Sequence, residues 1–431
     1  MSIGKTVEMR MPLLRDMLPV AVGCAEQTAR AFGFGKEEQL SLSLAVEEVF
    51  AFLAEKANGD ETLQLAWRHG GYYLETACIS PPRALPTKVF NMTARLALED
   101  EDSLADMGLL LAARKVDHFK IGREKDGGMG IYLTLEKRYP QAAPESGTVI
   151  PDSGFGLSPH GREEMKRFAR LATTCYRDAA PAFCRFPGKL VDMVSSGEYD
   201  AVLALDDKGN IGGGFLRGYN GKMAEGYGPY IFSGQDGLAA VLVEGALEKL
   251  ARTGVLCLII RQPTRQIPAA YFEPLGEFNS LAPDGTPQGH TALYRQIEED
   301  NGMTVFTHPH IESFIRERYK SLALPRQLRP TVYEGERRLP DSAISTHVDR
   351  LQTTATLSIL VAGDDVQDNL AKHIAALRNE GIKNIFFELN LGKAEEVQLV
   401  PAVLGAGFKP RLILPWAGCG DLAVFSHSGG E

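Results

Sequence analysis

In the stretch SLSLAVEEVFAFLAEKA, residues 41–57, Glu48, Phe52 and Lys56 follow one another at four-residue intervals. On a helix that spacing sets all three on one face. A phenyl ring has no oxygen to offer a hard cation, and magnesium requires oxygen ligands. His308-Pro309-His310 suggests half of a metal site. Proline imposes an extended geometry in which alternate side chains point apart, and no third ligand is evident nearby, so no metal is expected. Ile211-Gly212-Gly213-Gly214 invites a phosphate-loop reading. It lacks the Lys-Ser/Thr that would follow and lies between two strands, so close backbone packing is expected instead. Arg326 and Arg329, with Tyr333, could hold an anion or line an exposed connector.

The elements that would carry these residues follow from pattern. The first break is PQAAPESGTVIPDSG, residues 140–154, whose Pro, Ser, Gly and Ala without period read as a linker. Before it, helices are expected over 12–32, 37–57 and 103–117. TLQLAWRHGGYYLETACI gives a hairpin, and a second hairpin turns at Asp126-Gly127-Gly128. Helices on one face of a mainly antiparallel sheet make an α+β sandwich. After the linker, a helix in GREEMKRFARLATTCYRDA precedes two strands in YDAVLALDDKGNIGGGFLRG. GYGPYIFSGQDGLAAVLVEGALEKLARTGVLCLII then reads strand, Gly loop, helix, strand. A further helix is expected over about 267–275, and GHTALYRQI with MTVFTHP as a final strand pair. From about 310 come a helix, a connector in LPRQLRPTVYEGERRLPDS, and again strand, turn, helix, strand. ALEKLARTGVLCLII and HIAALRNEGIKNIFFEL share an amphipathic helix, a Gly stop and a buried strand, which reads as an internal repeat.

The bulk numbers set limits. At 431 residues, 44% hydrophobic, the chain is long enough for two to four domains of ~100–200 residues each. A net charge of −9 argues against a nucleic-acid partner and against an anionic membrane surface. The six cysteines form no C-x-x-C pair and read as buried, reduced thiols. The segment MSIGKTVEMRMPLL has no apolar signal core, and no run of ~18 apolar residues exists. A cytoplasmic location is therefore expected.

AVEEVFAFLAEKA, followed by LADMGLLLAARKVDHFKIGREKDGGMGIYLTLEKRY, resembles the ATPase domain of anti-sigma-factor serine kinases, of the GHKL superfamily, over about residues 5–138. The resemblance implies a Glu that polarises water at Glu48, an Asn that holds magnesium where Phe52 stands, and a His where Lys56 stands. It further implies an adenine-reading D-x-G where this chain has Ile79-Ser80-Pro81-Pro82. A Gly-rich phosphate loop is reduced to Asp106-Met107-Gly108. Three ATP elements are altered together. The degenerate site of Glu48, Phe52, Lys56 and Gly108 is thus expected to bind neither ATP nor magnesium.

VLALDDKGNIGGGF, GYGPYIFSGQDGLAAVLVEGALEKLARTGVLCLII and YFEPLGEF resemble the GNAT N-acetyltransferases over about residues 158–308. The resemblance implies a splayed strand ending at Tyr230, Ile231 and Phe232. It places Gly234, Gln235, Asp236, Gly237, Leu238 and Ala239 where loop amides and a helix N-terminus cradle the pyrophosphate of acetyl-CoA or another acyl-CoA. Asp236 would repel that anion, and a plain strand-to-helix turn is the alternative. Glu225 stands at the position of the general base. The acid of the family is a Tyr; this chain has Phe272 there, which leaves Tyr271, Tyr227 and Tyr230 as candidates. The C-terminal repeat resembles a second, shortened GNAT-like half. Its turn, Ala362-Gly363-Asp364-Asp365, caps a helix and would repel phosphate.

The expected organisation is an α+β / α/β multidomain chain. A GHKL-like α/β sandwich at 1–139 is followed by a linker at 140–157, a GNAT-like acyl-CoA domain at 158–308 and a degenerate GNAT-like domain at 309–431. The expected function is a regulatory fusion that binds acyl-CoA and possesses at most N-acyltransferase activity. By resemblance alone, its partner is a sigma factor or an anti-sigma antagonist. A functioning N-acetyltransferase with scaffold domains, and a non-catalytic scaffold, are the alternatives.

Overall fold

The computed structural model describes residues 5–94, 101–124, 126–143 and 154–427. The chain is a mixed α+β protein with several sheets and divides into two compact units. One comprises Met1–Tyr139 with Asp341–Ser345; the other comprises Pro140–Pro340 with Thr346–Glu431. Residues 144–153 of the expected linker lie outside the described residues.

The first unit runs β1 (Thr6–Pro12), α1 (Leu18–Ala31), α2 (Lys36–Glu55), β2 (Thr62–His69), β3 (Tyr73–Ser80), α3 (Glu101–Lys115), β4 (His118–Arg123) and β5 (Met129–Glu136). The strands form one antiparallel sheet of order β1-β2-β3-β5-β4. Strict alternation buries Leu63, Leu65 and Trp67 on β2 and Leu74, Thr76 and Cys78 on β3. The stripe Leu42, Ala45, Val46, Val49, Phe50 and Leu53 buries one side of α2. The expected helix over 12–32 is corrected: Thr6–Pro12 is an edge strand, and the helix starts only at Leu18, with Pro19 in its first turn. Most of β1 is exposed, so it lacks the apolar alternation that marks a strand.

The second unit begins with β6 (Gly156–Ser158), α4 (Arg162–Tyr176), α5 (Pro187–Ser196), β7 (Tyr199–Leu205), β8 (Ile211–Asn220) and β9 (Met223–Ile231). It continues with α6 (Leu238–Leu250), β10 (Cys257–Ile260), β11 (Glu273–Leu281) and β12 (Pro287–Gln296). These seven strands make one sheet of order β11-β12-β10-β9-β8-β7-β6. Its pairs are antiparallel apart from β9 and β10, which run parallel. Alternation along β7 sends Ala201 and Leu203 to a core with α4 and α5, and Val202 and Ala204 to a core with α6. The triple glycine of β8 serves packing. A Cβ at Gly212 would lie 2.4 Å from the Phe155 ring, and one at Gly214 would lie 2.5 Å from Phe168.

Beyond these come β13 (Met303–Thr307), α7 (Glu312–Ser321), β14 (Arg326–Pro330), β15 (Ala343–Asp349), β16 (Thr354–Val361), α8 (Val366–Asn379) and β17 (Asn384–Asn390). The last elements are α9 (Ala394–Val397), α10 (Val400–Gly405), β18 (Phe408–Leu414) and β19 (Leu422–His427). A five-stranded sheet has the order β15-β16-β17-β19-β18, with β16 and β17 parallel. The run β9-β10-β12-β11 and the run β16-β17-β19-β18 therefore share order and direction. In each, the helix before the second strand stops at a glycine with positive φ, Gly254 at 77° and Gly381 at 80°.

Three local expectations are corrected. The helix expected over 267–275 is a short turn followed by β11, because Pro268 and Pro274 withhold amide donors and β12 pairs with the segment. GHTALYRQI pairs with β10 and β11, not with MTVFTHP, which runs parallel to β14. The supposed connector at 326–330 is that strand. Arg326 has no exposed side chain: it lies 2.8 Å from Asp300 and 2.7 Å from Asp421, both also buried. Cys175 and Cys419 are exposed, whereas Cys78, Cys184 and Cys257 are buried as expected.

Candidate functional site

In the first unit, α2 carries Glu48 and Phe52, and Lys56 caps its C-terminal end. Gly108 on α3 closes on Glu48 so tightly that a Cβ there would lie 2.4 Å from Oε2. Burial, then the neighbouring Glu47, raises the Glu48 carboxyl above its ordinary value. Glu48 is half-buried, not on a solvated helix face. Phe52 is 2% exposed, and Lys56 Nζ stands 4.7 Å from its ring centroid. The row is thus a carboxyl, a sequestered ring and an ammonium laid over that ring, with Glu48 the one oxygen-bearing side chain of the three. After β3, where an adenine reader would sit by the resemblance, Arg83 donates to Leu53 O at 2.7 Å and pairs with Glu61.

In the second unit, β9 and β10 pair over three residues, from Met223 with Cys257 to Glu225 with Ile259. Past that point β9 runs on to Ile231 without β10 beside it, and the chain turns through Gly234–Gly237 into α6. Gly237 at φ 76° makes the turn. As in any first turn, the leading amides of α6 have no intrahelical acceptor. Gln235 does not face a ligand. Its side chain accepts from Phe155 N at 2.9 Å and donates to Phe155 O at 3.1 Å, tying the loop to the chain before β6. Gly234, Asp236 and Gly237 are exposed, Leu238 is buried and Ala239 half-buried.

At the point of divergence the structure assembles a polar cluster. Arg261, just past β10, lies 3.3 Å from Glu225 and 2.8 Å from Glu388 on β17. Tyr227 shares a strand face with Glu225 and hydrogen-bonds to it. Burial, then Glu225 and Tyr199, pushes the Tyr227 phenol well above its ordinary value. Tyr230 is buried in the α4–α5 core, its hydroxyl 3.5 Å from Ala179 O. The Tyr271 hydroxyl is engaged by Glu244, which raises its phenol. Among the three tyrosines, then, Tyr227 is the one beside Glu225.

The open edge of β9 is already occupied. Phe232 N donates to Gly212 O, so the peptide groups of Ile231 point the other way, to the edge β10 has left. There the Tyr176 hydroxyl accepts from Ile231 N at 2.8 Å and bonds Ile231 O at 3.2 Å. Thr264 Oγ1 donates to Pro229 O at 2.7 Å. A single hydroxyl thus satisfies the donor and acceptor that a ligand amide would otherwise pair with. Tyr176, Gln262 and Pro263 form part of the wall of an adjoining cavity of ≈ 430 Å³.

Substituting Tyr176→Phe retains the ring, which packs against Tyr230 at 4.9 Å, and releases both groups of Ile231. Each hydrogen bond regained by a ligand is worth about 1 kcal/mol. For a ligand such as an acyl-CoA that paired with this edge, affinity is therefore expected to rise roughly fivefold for one bond regained and roughly thirtyfold for two, by calorimetry; unchanged affinity would place any ligand away from this edge.

Arg261, Glu388, Tyr176 and Thr264 were not singled out by sequence. Arg261 had a local signal, a charge directly following the apolar run CLII. The His308 and His310 rings come within 4.8 Å because Pro309 starts a tight turn and does not extend the strand. Among the described residues no group of three His, Cys, Asp or Glu could hold a metal ion, and no helix is long and apolar enough to cross a membrane.

Among solved structures, the chain is similar to an acetyltransferase of the GNAT family from Staphylococcus aureus Mu50. The identity is 14% and the TM-score 0.25, covering 34% of this chain and 100% of that one. No family model and no curated protein matches the chain.

Proposed function

We propose that the second unit is a GNAT-like module that binds an acyl-CoA where β9 and β10 diverge and passes the acyl group to an amine. The first unit is a GHKL-like, ATP-inert module for protein contact, and the fusion is regulatory. One observation carries the acyl-CoA reading. The only parallel pair in the seven-stranded sheet is joined over three residues, then opens beside a loop that starts a helix. The opening offers an extended ligand a strand edge once Tyr176 and Thr264 give up their bonds to it, and the helix start favours its phosphates.

In the transfer, the amine nitrogen bonds the thioester carbonyl carbon, the carbon–sulfur bond breaks, and the amine proton goes to Glu225. The departing thiolate takes a proton from solvent, since burial and Glu225 make the Tyr227 phenol too weak an acid to supply it. Arg261 holds Glu225 at the mouth of the opening. Positioned proton transfer of this kind supplies ~10²–10⁴-fold.

A non-catalytic binding module is the second reading, favoured by the Tyr176 and Thr264 bonds across the β9 edge. A sigma factor or an anti-sigma antagonist stays the partner class implied by resemblance for the first unit, with no residue of this chain to specify it.

Titrating the whole chain calorimetrically tests both units. Acetyl-CoA is expected to bind saturably and Mg-ATP to give no binding heat. Micromolar Mg-ATP binding would overturn the reading of Phe52, and absence of acetyl-CoA binding would overturn that of the β9–β10 opening.

A further inference from the structure

Away from the β9 loop, the outer ends of β11 and β12, the start of β17 and the end of β19 border a cavity of ≈ 860 Å³. Its lining includes Arg378, Lys383, Arg411 and His427, and no Asp or Glu. The chain as a whole carries 55 acidic against 46 basic residues, so a cavity lined by cations alone runs against its composition.

The bonds these cations make are to neutral groups. Arg378 donates to Ile382 O at 3.1 Å and Lys383 O at 2.5 Å, and stands 3.4 Å from His427 Nδ1. Lys383 donates to Pro283 O at 2.7 Å. Arg411 donates through Nε to Ser426 Oγ at 2.7 Å, and its terminal nitrogens bond no group among the described residues. Those terminal N–H groups form the planar fork that matches a carboxylate or phosphate. The Asp284 carboxyl is lowered chiefly by the Thr286 amide and hydroxyl and also by Lys383. Asp284 lines the adjoining ≈ 430 Å³ cavity.

Like charges gathered in a half-enclosed space repel one another, and Arg378 loses hydration without a carboxylate in the lining to replace it. Burial accordingly lowers the basicity of both Arg378 and His427, and Arg378 lowers that of His427 further. An anion in the cavity would offset both costs. Asn279, Gln288 and Asn384 add neutral polar groups, and Leu281 and Ile385 add apolar wall, which suits an organic body attached to the charge.

We propose that this cavity is a binding site for a small anionic molecule bearing phosphate or carboxylate, held by the Arg411 fork and Lys383. None of Tyr230–Ala239 lines it, although Ser280, Leu281, Gln288 and Asn384 also line the ≈ 430 Å³ cavity beside the β9 edge; its cations are distinct from the residues of the proposed acyl-CoA opening, and the site does not depend on that reading.

The test is calorimetric titration of the whole chain with inorganic pyrophosphate and with citrate, at constant ionic strength. Saturable binding of at least one is expected in the wild type. Arg411→Gln and Lys383→Gln are each expected to weaken it at least tenfold, and Arg350→Gln, at an exposed ion pair with Glu380, to leave it unchanged. Urea midpoints confirm the fold of each variant; if Arg411→Gln unfolds, Lys383→Gln alone decides. No saturable binding of either probe, or equal binding by wild type and the folded variants, overturns the site. Competitive displacement of the probe by CoA would assign the cations to the coenzyme and overturn a separate anion site.

Discussion

Arg326→Leu is expected to lower the unfolding free energy by ~3–5 kcal/mol, the usual cost of stranding buried charges. Arg326 binds Asp421 through Nε at 2.7 Å and Nη2 at 3.3 Å, and Asp300 through Nη1 at 2.8 Å. All three side chains are at most 2% exposed. Removing the guanidinium leaves two carboxylates facing each other without water. The loss spreads further, because Trp416 depends on both acids. Its indole donates to Asp300 at 2.9 Å and its amide to Asp421 at 2.9 Å, while its backbone sits at φ 59°, a region costly for a residue with a Cβ.

The pH dependence should change sign along with the stability. Burial raises the Asp300 carboxyl, but bonds from Trp416, Gly302 and Arg326 outweigh it and hold the group below its ordinary value. A carboxyl lowered by folding stabilises above its unfolded pKa and loses that contribution as pH falls through the folded one. The wild type should therefore weaken on acidification below the ordinary carboxylate range. Arg326→Leu, with its acids buried and unpaired, should instead gain stability as pH falls toward that range from above, because such acids take up protons at higher pH than in the unfolded chain. Urea unfolding followed by tryptophan fluorescence at neutral and acid pH reads both effects. Replacing the whole triad by Asp300→Asn, Arg326→Leu and Asp421→Asn should recover part of the loss; a single variant as stable as wild type would show the triad contributes nothing.

That triad also marks where sequence reading reaches its limit. Arg326 and Asp421 are 95 residues apart and Trp416 and Asp300 are 116 apart. No local pattern distinguishes an arginine drawn into such a cluster from one on an exposed connector. The β14 strand was unreadable for the same reason, since its partner β13 reaches it only by a parallel crossover through α7. Local signals served better. The apolar stripe of α6 with its stop at Gly254, and that of α8 with Gly381, made both helix–strand units legible. YFEPLGEF misled, because its spacing fits a helix while Pro274 and its pairing with β12 impose a strand. At the candidate site, the loop at 234–239 could be located from its glycines. The bonds that govern its neighbourhood could not: Tyr176 meets Ile231 across 55 residues and Arg261 meets Glu388 across 127.

Glu225→Gln should reduce acyl transfer by ~10²–10⁴ in kcat, the typical contribution of a positioned base, and leave acyl-CoA affinity within about twofold. The asymmetry follows from where the charge sits. Glu225 lies at the end of the paired stretch of β9, so it can meet an approaching amine, whereas the loop and α6 start are farther along the chain. Loss of its charge should not unfold the unit, because Arg261 keeps Glu388 at 2.8 Å and both partners retain some solvent contact. Partly exposed ion pairs of this kind contribute ~0–1 kcal/mol, so the rate effect can be read apart from stability. Release of CoA thiol in the presence of a panel of primary amines, amino acids and polyamines among them, measures the transfer. Arg261→Gln supplies the complementary measurement. If Arg261 positions the carboxylate, its loss should lower kcat with little change in the amine KM, and the fall should be smaller than for Glu225→Gln. An unchanged kcat in Glu225→Gln would remove it as the base. A wild-type chain that binds acetyl-CoA yet releases no thiol with any amine would leave the Tyr176-capped edge as part of a sensor of acyl-CoA.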